Sequence, residues 1–176
     1  MPPQRRSARQ PVRLAARPVR AEGERRRLEA ADDLQFVDPP HSIGYQIRYA
    51  YRAFVKALGV ELGPEEITTS QWSALRVLWQ EEGLSQVELA QRMLVEKASL
   101  TPVLAAMAAS GLIKRSRNTE DRRKVNIFLT ASGRRLRDQL LPLGAKVNKR
   151  ATRGMSPAEV QQLRRLLSRL LANLGA

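Results

Sequence analysis

Cysteine is absent from all 176 residues, which excludes disulfides, thiol redox sensing and thiolate metal sites. Histidine is nearly so. His41 stands beside Pro39 and Pro40, with no paired carboxylates and no glycine-rich phosphate loop to form a catalytic or metal-binding constellation. An enzyme is therefore not expected, nor a metal or cofactor. No apolar run approaches the roughly 20 residues that cross a bilayer, and none resembles the apolar middle of a signal peptide. These absences lead us to expect a cytoplasmic protein with no membrane partner.

Acidic residues are also scarce, 17 against 31 lysines and arginines, giving a net charge of +14 and a pI near 11.3. A surplus of that size suits a polyanion, with nucleic acid ahead of an anionic membrane surface. Residues 1–30 hold nine arginines and three glutamates. With prolines and few large apolar residues, residues 1–38 read as a disordered arginine-rich arm. It is either a solvated tail or a minor-groove extension. The length and the lack of internal repeats suit one compact domain behind that arm.

After Pro39-Pro40, Ser42 can cap a helix whose Ile43, Ile47, Ala50, Tyr51, Phe54 and Leu58 recur at helical spacing, with Gly63-Pro64 closing it. A second helix is expected from Thr69 or Ser70 to Glu82, ended by Gly83. Ser85-Gln-Val-Glu88 is a capping box opening a short helix with Val87, Leu89, Ala90 and Met93 inward. A break at Leu94-Val95 precedes a helix from about Glu96 to Ser110, ended by Gly111. Two helices joined by so short a turn make a helix-turn-helix.

The period then changes from 3.6 to 2. Leu112–Arg115 and Val125, Ile127 and Leu129 read as two strands of a hairpin around Asn118-Thr-Glu-Asp121. Thr130 can cap a helix that contains Pro142, expected to bend it. Ser156-Pro157-Ala-Glu159 starts a last helix, on which Val160, Leu163, Leu167, Leu170 and Leu174 form a packing seam. That seam needs a partner, expected in a second subunit. The fold class is mainly α with a small β-hairpin wing, a winged helix-turn-helix with N- and C-terminal dimerisation helices. The expected divisions are 39–64 for the first dimerisation helix, 65–137 for the winged helix and 138–176 for the C-terminal helices.

A recognition helix in the major groove, about 12 Å wide, presents its N-terminal residues to base edges; here these are Lys97, Ser99, Thr101 and Pro102. Lysine and the hydroxyls can meet bases or phosphate, while the Thr101 methyl and Pro102 ring suit a thymine methyl. Ser85, at the start of the preceding helix, joins this DNA-facing set. At the mouth of the wing, Arg115, Arg122, Arg123 and Lys124 meet duplex DNA, where a guanidinium can enter the electronegative minor groove. Asp121 is expected to pair with Arg115 or Arg123 and fix the loop.

The stretch from Leu84 to Leu136 resembles the MarR (multiple antibiotic resistance regulator) family of winged-helix transcription factors. The resemblance rests on Glu88-Leu-Ala90, Thr101, Gly111-Leu-Ile113, Asp121-Arg-Arg123 and Leu129-Thr-Ala-Ser-Gly133. It implies a homodimer on double-stranded DNA, with Arg123 in the minor groove and Arg122 and Arg115 supporting the wing or meeting phosphate. Two positions depart from the pattern: Leu94 stands where the turn often has a small residue, and Pro102 where many members carry arginine. The resemblance also implies release from DNA by a small, frequently aromatic acid. Tyr45, Arg48, Tyr49 and Arg52 on the first helix, with Trp72 and Trp79 on the second, are the candidate ligand-binding residues. Sensing of peroxide through a cysteine is excluded. The competing reading is a nucleoid- or RNA-associated protein that uses its charge without reading sequence.

Overall fold

The computed structural model describes residues 41–118 and 125–175. By compactness the chain divides after Tyr49. In the first unit, residues 41 and 43–49 are exposed, and the rings of Tyr45 and Tyr49 stack with centroids 4.3 Å apart. Helix α1, Ile43–Leu62, starts where Ser42 Oγ accepts from the Tyr45 N–H, and Gly63-Pro64-Glu65 follows it as a 3-10 turn.

Helix α2 runs Thr69–Leu78. Its cap is Thr68, whose hydroxyl accepts from the Gln71 N–H while the Gln71 side chain accepts from the Thr68 N–H. The helix ends four residues before the expected Glu82. The reason is Glu82 itself, whose carboxylate is drawn away to the N–H of Leu129 and the guanidinium of Arg134. Gly83 does take positive φ, +82°, but it turns the chain into strand β1, Leu84–Ser85. This third strand has no counterpart in the period-2 pattern, because two residues are too few to show alternation.

Helix α3, Gln86–Met93, has the predicted box between Ser85 and Glu88. Leu89 and Ala90 are buried, but Val87 is exposed, contrary to the inward position expected for it. Helix α4 spans Lys97–Ala109 and places Leu100, Leu104 and Met107 in the core; Gly111, at φ +66°, follows its end. Strands β2, Ile113–Arg117, and β3, Val125–Leu129, are antiparallel and in register from Ile113 opposite Leu129 to Arg117 opposite Val125. β3 also pairs with β1, so the sheet order is β1-β3-β2. The architecture is mainly α with a small antiparallel wing, as expected.

Helix α5, Ala131–Ala151, is capped by Thr130 and continues through Pro142. Helix α6, Pro157–Asn173, has Ser156 as N-cap, Glu159 completing the box, and proline in its first turn. One core joins these elements: Leu62 of α1, Leu75 and Leu78 of α2, Leu89, Leu100, Leu104, Met107, Ile127, Leu129 and Leu140 are all fully buried. Each such leucine contributes roughly 1.5–3 kcal/mol relative to exposure, which fixes the helix pair and the wing as one body. Leu163, Leu166, Leu167, Leu171 and Leu174 on α6 are exposed.

The turn between α3 and α4 carries stored strain. Leu94 lies at φ 53°, ψ 44°, and is 68% exposed. The N–H of Leu94 donates to Gln91 and that of Val95 to Ala90, the pairing of a Schellman cap that normally takes glycine. A side chain there costs roughly 1–2 kcal/mol, while glycine adds about 0.4–1 kcal/mol of unfolded-state entropy. Leu94→Gly is therefore expected to stabilise the fold by about 0.8 kcal/mol. A urea midpoint below that of the parent would show that Leu94 contributes packing instead.

Candidate nucleic-acid interface and an adjoining cavity

Helices α3 and α4 form the helix pair, and the first turn of α4 stands open to solvent. Lys97, Ser99, Thr101 and Pro102 are all exposed, on either side of buried Leu100 and ahead of the partly buried Val103. The spacing explains this: Leu100, Leu104 and Met107 hold one face inward, so the residues between them point away from the core. Four side-chain hydrogen bonds tune the exposed face. Ser99 Oγ donates to the Glu96 carbonyl at 2.7 Å. Gln86 Nε2 donates to the Lys97 carbonyl at 3.1 Å and to Thr101 Oγ1 at 2.7 Å, and Thr101 Oγ1 lies 3.4 Å from the Lys97 carbonyl. The Thr101 hydroxyl is thus engaged, which leaves its methyl as the group best suited to a base.

Gln86 was not legible from sequence. Its amide reaches across 15 residues, and nothing local marks it as more than a helix-start residue. It ties the first helix of the pair to the open turn of the second. Ser85 is half-buried, and its hydroxyl accepts from the Glu88 N–H as a cap. Arg115 is exposed on β2, opposite Ile127. Arg122, Arg123 and Lys124, with Asp121, fall outside the described residues.

The base of the wing is held by charge. Arg134 of α5 grips Glu82 through two bonds, Nε to Oε1 at 2.7 Å and Nη2 to Oε2 at 2.6 Å, while the Leu129 N–H donates to Oε2 at 3.1 Å. Strand β3, the segment after α2 and the start of α5 meet at one carboxylate. The hydrogen-bonded Arg134 guanidinium, ahead of the Leu129 N–H, holds the Glu82 carboxyl below its ordinary range. A group so depressed stabilises the fold above its unfolded pKa, about 4.3, and that contribution is lost as pH falls through its lower folded value. Glu82→Gln should flatten part of the acid limb of the stability profile below about pH 5. An acid limb identical to the parent's would assign the loss elsewhere. The control is Glu159, which its Ser156 N–H and hydroxyl also hold low.

Beside the helix pair lies a cavity of about 400 Å3. Tyr51, Phe54 and Leu58 of α1 line it, with Trp72 and Arg76 of α2, Gly144 and Val147 of α5, and Met93 and Val95 at the strained turn. The Arg76 guanidinium sits over the Trp72 ring, 6.0 Å from its centroid, and Trp79 meets Trp72 edge-on at 5.8 Å. Gly144 admits the tryptophan, since a Cβ there would stand 2.7 Å from Trp72 Cζ2. Of the six candidate ligand residues, Trp72 lines this cavity. Trp79 turns away, donating from Nε1 to the Gly133 carbonyl at 2.9 Å. Arg52 is exposed and not in the lining, and Tyr45, Arg48 and Tyr49 belong to the first unit. Arg76 is the cation that the sequence pattern did not single out.

Among the described residues, no group of three or more histidines, aspartates or glutamates is placed to hold a metal, and no helix is long and apolar enough to cross a membrane.

Comparison with known proteins agrees with this geometry. The model of the MarR family matches residues 67–125, from just before α2 to the first residue of β3. The chain is 36% identical over 137 residues to the HTH-type transcriptional regulator TtmR of Methylorubrum extorquens, covering 76% of this chain and 68% of that one. It is 33% identical to the organic hydroperoxide resistance transcriptional regulator of Bacillus subtilis, over 59% of this chain and 67% of the relative. Among solved structures, BpsR of Bordetella bronchiseptica, whose DNA binding is regulated by 6-hydroxynicotinic acid, superposes with a TM-score of 0.70 at 25% identity. That match covers 76% of this chain and 95% of BpsR.

Proposed function

We propose, from the premise that the chain belongs to the MarR family of transcriptional regulators, that it binds a pseudo-palindromic duplex operator as a homodimer and is released by a small aromatic acid. Repression relieved by ligand, in the cytoplasm, is the mode of action this implies. The observation that carries the reading is the open first turn of α4, braced by Gln86 and fixed by the capped turn at Leu94. A rigid, exposed helix start beside a hairpin is what major-groove reading with a flanking wing contact requires. Arg123, Arg122, Lys124 and Arg115 supply the wing's charge, and Lys97, Thr101 and Pro102 the base-facing surface. The exposed leucines of α6 supply the dimer seam.

Single base-pair changes in the bound duplex test the reading by fluorescence anisotropy. A sequence reader loses about 1–3 kcal/mol at each contacted pair. A flat response, equal on RNA, would replace it with charge-driven, non-specific nucleic-acid binding.

The ligand half rests on the cavity. Its volume lies within the roughly 300–1,000 Å3 of small-molecule sites, Trp72 offers an aromatic wall, and Arg76 offers a guanidinium for a carboxylate. Met93 and Val95 border both the cavity and the turn that sets α4, so filling the cavity acts on the recognition helix. The regulation of BpsR by 6-hydroxynicotinic acid favours this class of effector. With no cysteine in the chain, a thiol cannot be the sensor here. Thermal-shift measurements with a panel of aromatic acids should find a compound that raises the melting temperature, with the shift lost in Arg76→Ala and kept in Arg48→Ala. No shift with any compound would remove the effector from the account.

A further inference from the structure

A second hollow lies at the C-terminal end of α5. Lys146, Lys149, Arg150 and Arg153 converge there with Thr152 and Met155 around a space of about 500 Å3. Lys146, Lys149 and Arg150 lie at i, i+3 and i+4 on α5, where like charges repel and destabilise the helix by a few tenths of a kcal/mol per pair, and Arg153 stands just beyond the helix end. Compensation of the helix dipole accounts for Lys149 and Arg150, which lie in the last turn. It does not account for Arg153, which lies beyond the end of the helix, nor for the concavity. The ion pair formed here among the described residues is Lys146 with Glu61, at 2.8 Å. The lining contains no carboxylate, so three cations face the hollow without a neutralising partner in it. The Thr152 hydroxyl is turned to the Asn148 carbonyl at 3.0 Å, so the donors available are the cationic nitrogens.

We propose that this hollow binds a small anion carrying a pyrophosphate or equivalent pair of phosphate groups, with room for an organic body. Three unneutralised cations match the charge of such a group, and guanidinium and ammonium donors suit its oxygens. The concave shape favours a small molecule over a duplex backbone, which is gripped from a projecting surface. The site is separate from the helix pair. Lys146 lies 15 residues beyond the start of α5, about 22 Å along the axis at 1.5 Å per residue.

Isothermal titration of the full chain with sodium pyrophosphate, then with adenosine diphosphate, tests this, with sodium sulfate at matched ionic strength as reference. Saturable binding of one anion per chain is expected, weakened about tenfold or more in Lys149→Ala/Arg150→Ala. It should be unchanged in Arg164→Ala/Arg165→Ala, which removes two exposed cations from α6. The proposal is overturned if sulfate binds equally, if both double variants lose binding alike, or if no saturable heat appears. It is also overturned if Lys149→Ala/Arg150→Ala, with its melting temperature retained, binds pyrophosphate normally but loses affinity for duplex DNA. That result would make the patch a nucleic-acid contact.

Discussion

Placing glutamate at Leu163 and Leu167 together should convert the protein to a monomer and reduce operator affinity by more than 100-fold. Both leucines are exposed on α6, with Leu166, Leu171 and Leu174 beside them. They face solvent in a single chain although an apolar stripe of that breadth normally marks an interface. Burying two unpaired carboxylates in such an interface costs several kcal/mol, and about 2.7 kcal/mol already corresponds to 100-fold. The fold of the single chain should survive, because neither residue belongs to the buried core. Sedimentation equilibrium gives the oligomeric state, and anisotropy on the same sample gives the affinity. A dimer that persists with both glutamates in place would assign α6 to packing within its own chain.

The second large effect concerns stability. Gly133→Ala is expected to cost about 1–3 kcal/mol, the usual range for overpacking, and several degrees of melting temperature. Gly133 is buried in the first turn of α5, and a Cβ there would run into the Leu112 carbonyl. That carbonyl is backbone and cannot swing aside. It already accepts from the Thr130 N–H at 3.0 Å, while the Thr130 hydroxyl donates to the Gly111 carbonyl at 2.6 Å and accepts from the Gly133 N–H. The Gly133 carbonyl in turn accepts from Trp79. Pushing α5 outward therefore disturbs the cap, the start of β2 and the tryptophan at once. A urea midpoint unchanged within error would mean that α5 shifts freely against β2. The family signature Leu-Thr-x-x-Gly has here a steric cause: glycine is the residue that lets α5 lie against the backbone entering the wing.

How legible this was depended on range. The caps at Ser85, Thr130 and Ser156 bond residues three apart, so the sequence carried them in full. The capped turn at Leu94 was legible as an anomaly, a large residue where a small one fits, and its left-handed backbone gives the reason. The hydrophobic period misplaced Val87, because an eight-residue helix offers too few turns to separate faces. The end of α2 was misjudged because Glu82 answers to partners 47 and 52 residues away, which no local pattern encodes. For the same reason Gln86 and Arg76 escaped notice. Aromatic and basic spacing on one helix suggested Tyr45, Arg48, Tyr49 and Arg52, whereas a cavity is assembled from several helices and its lining follows from packing.

Selection from randomised duplex DNA at near-physiological salt, with a parallel RNA pool, tests the central claim most directly. The expected result is recovery of an inverted repeat with half-sites about 10 base pairs apart, the spacing at which a two-fold dimer meets successive major grooves. Recovery of no enriched duplex, or preferential recovery of RNA, would contradict it and leave the helix pair as a scaffold for charge.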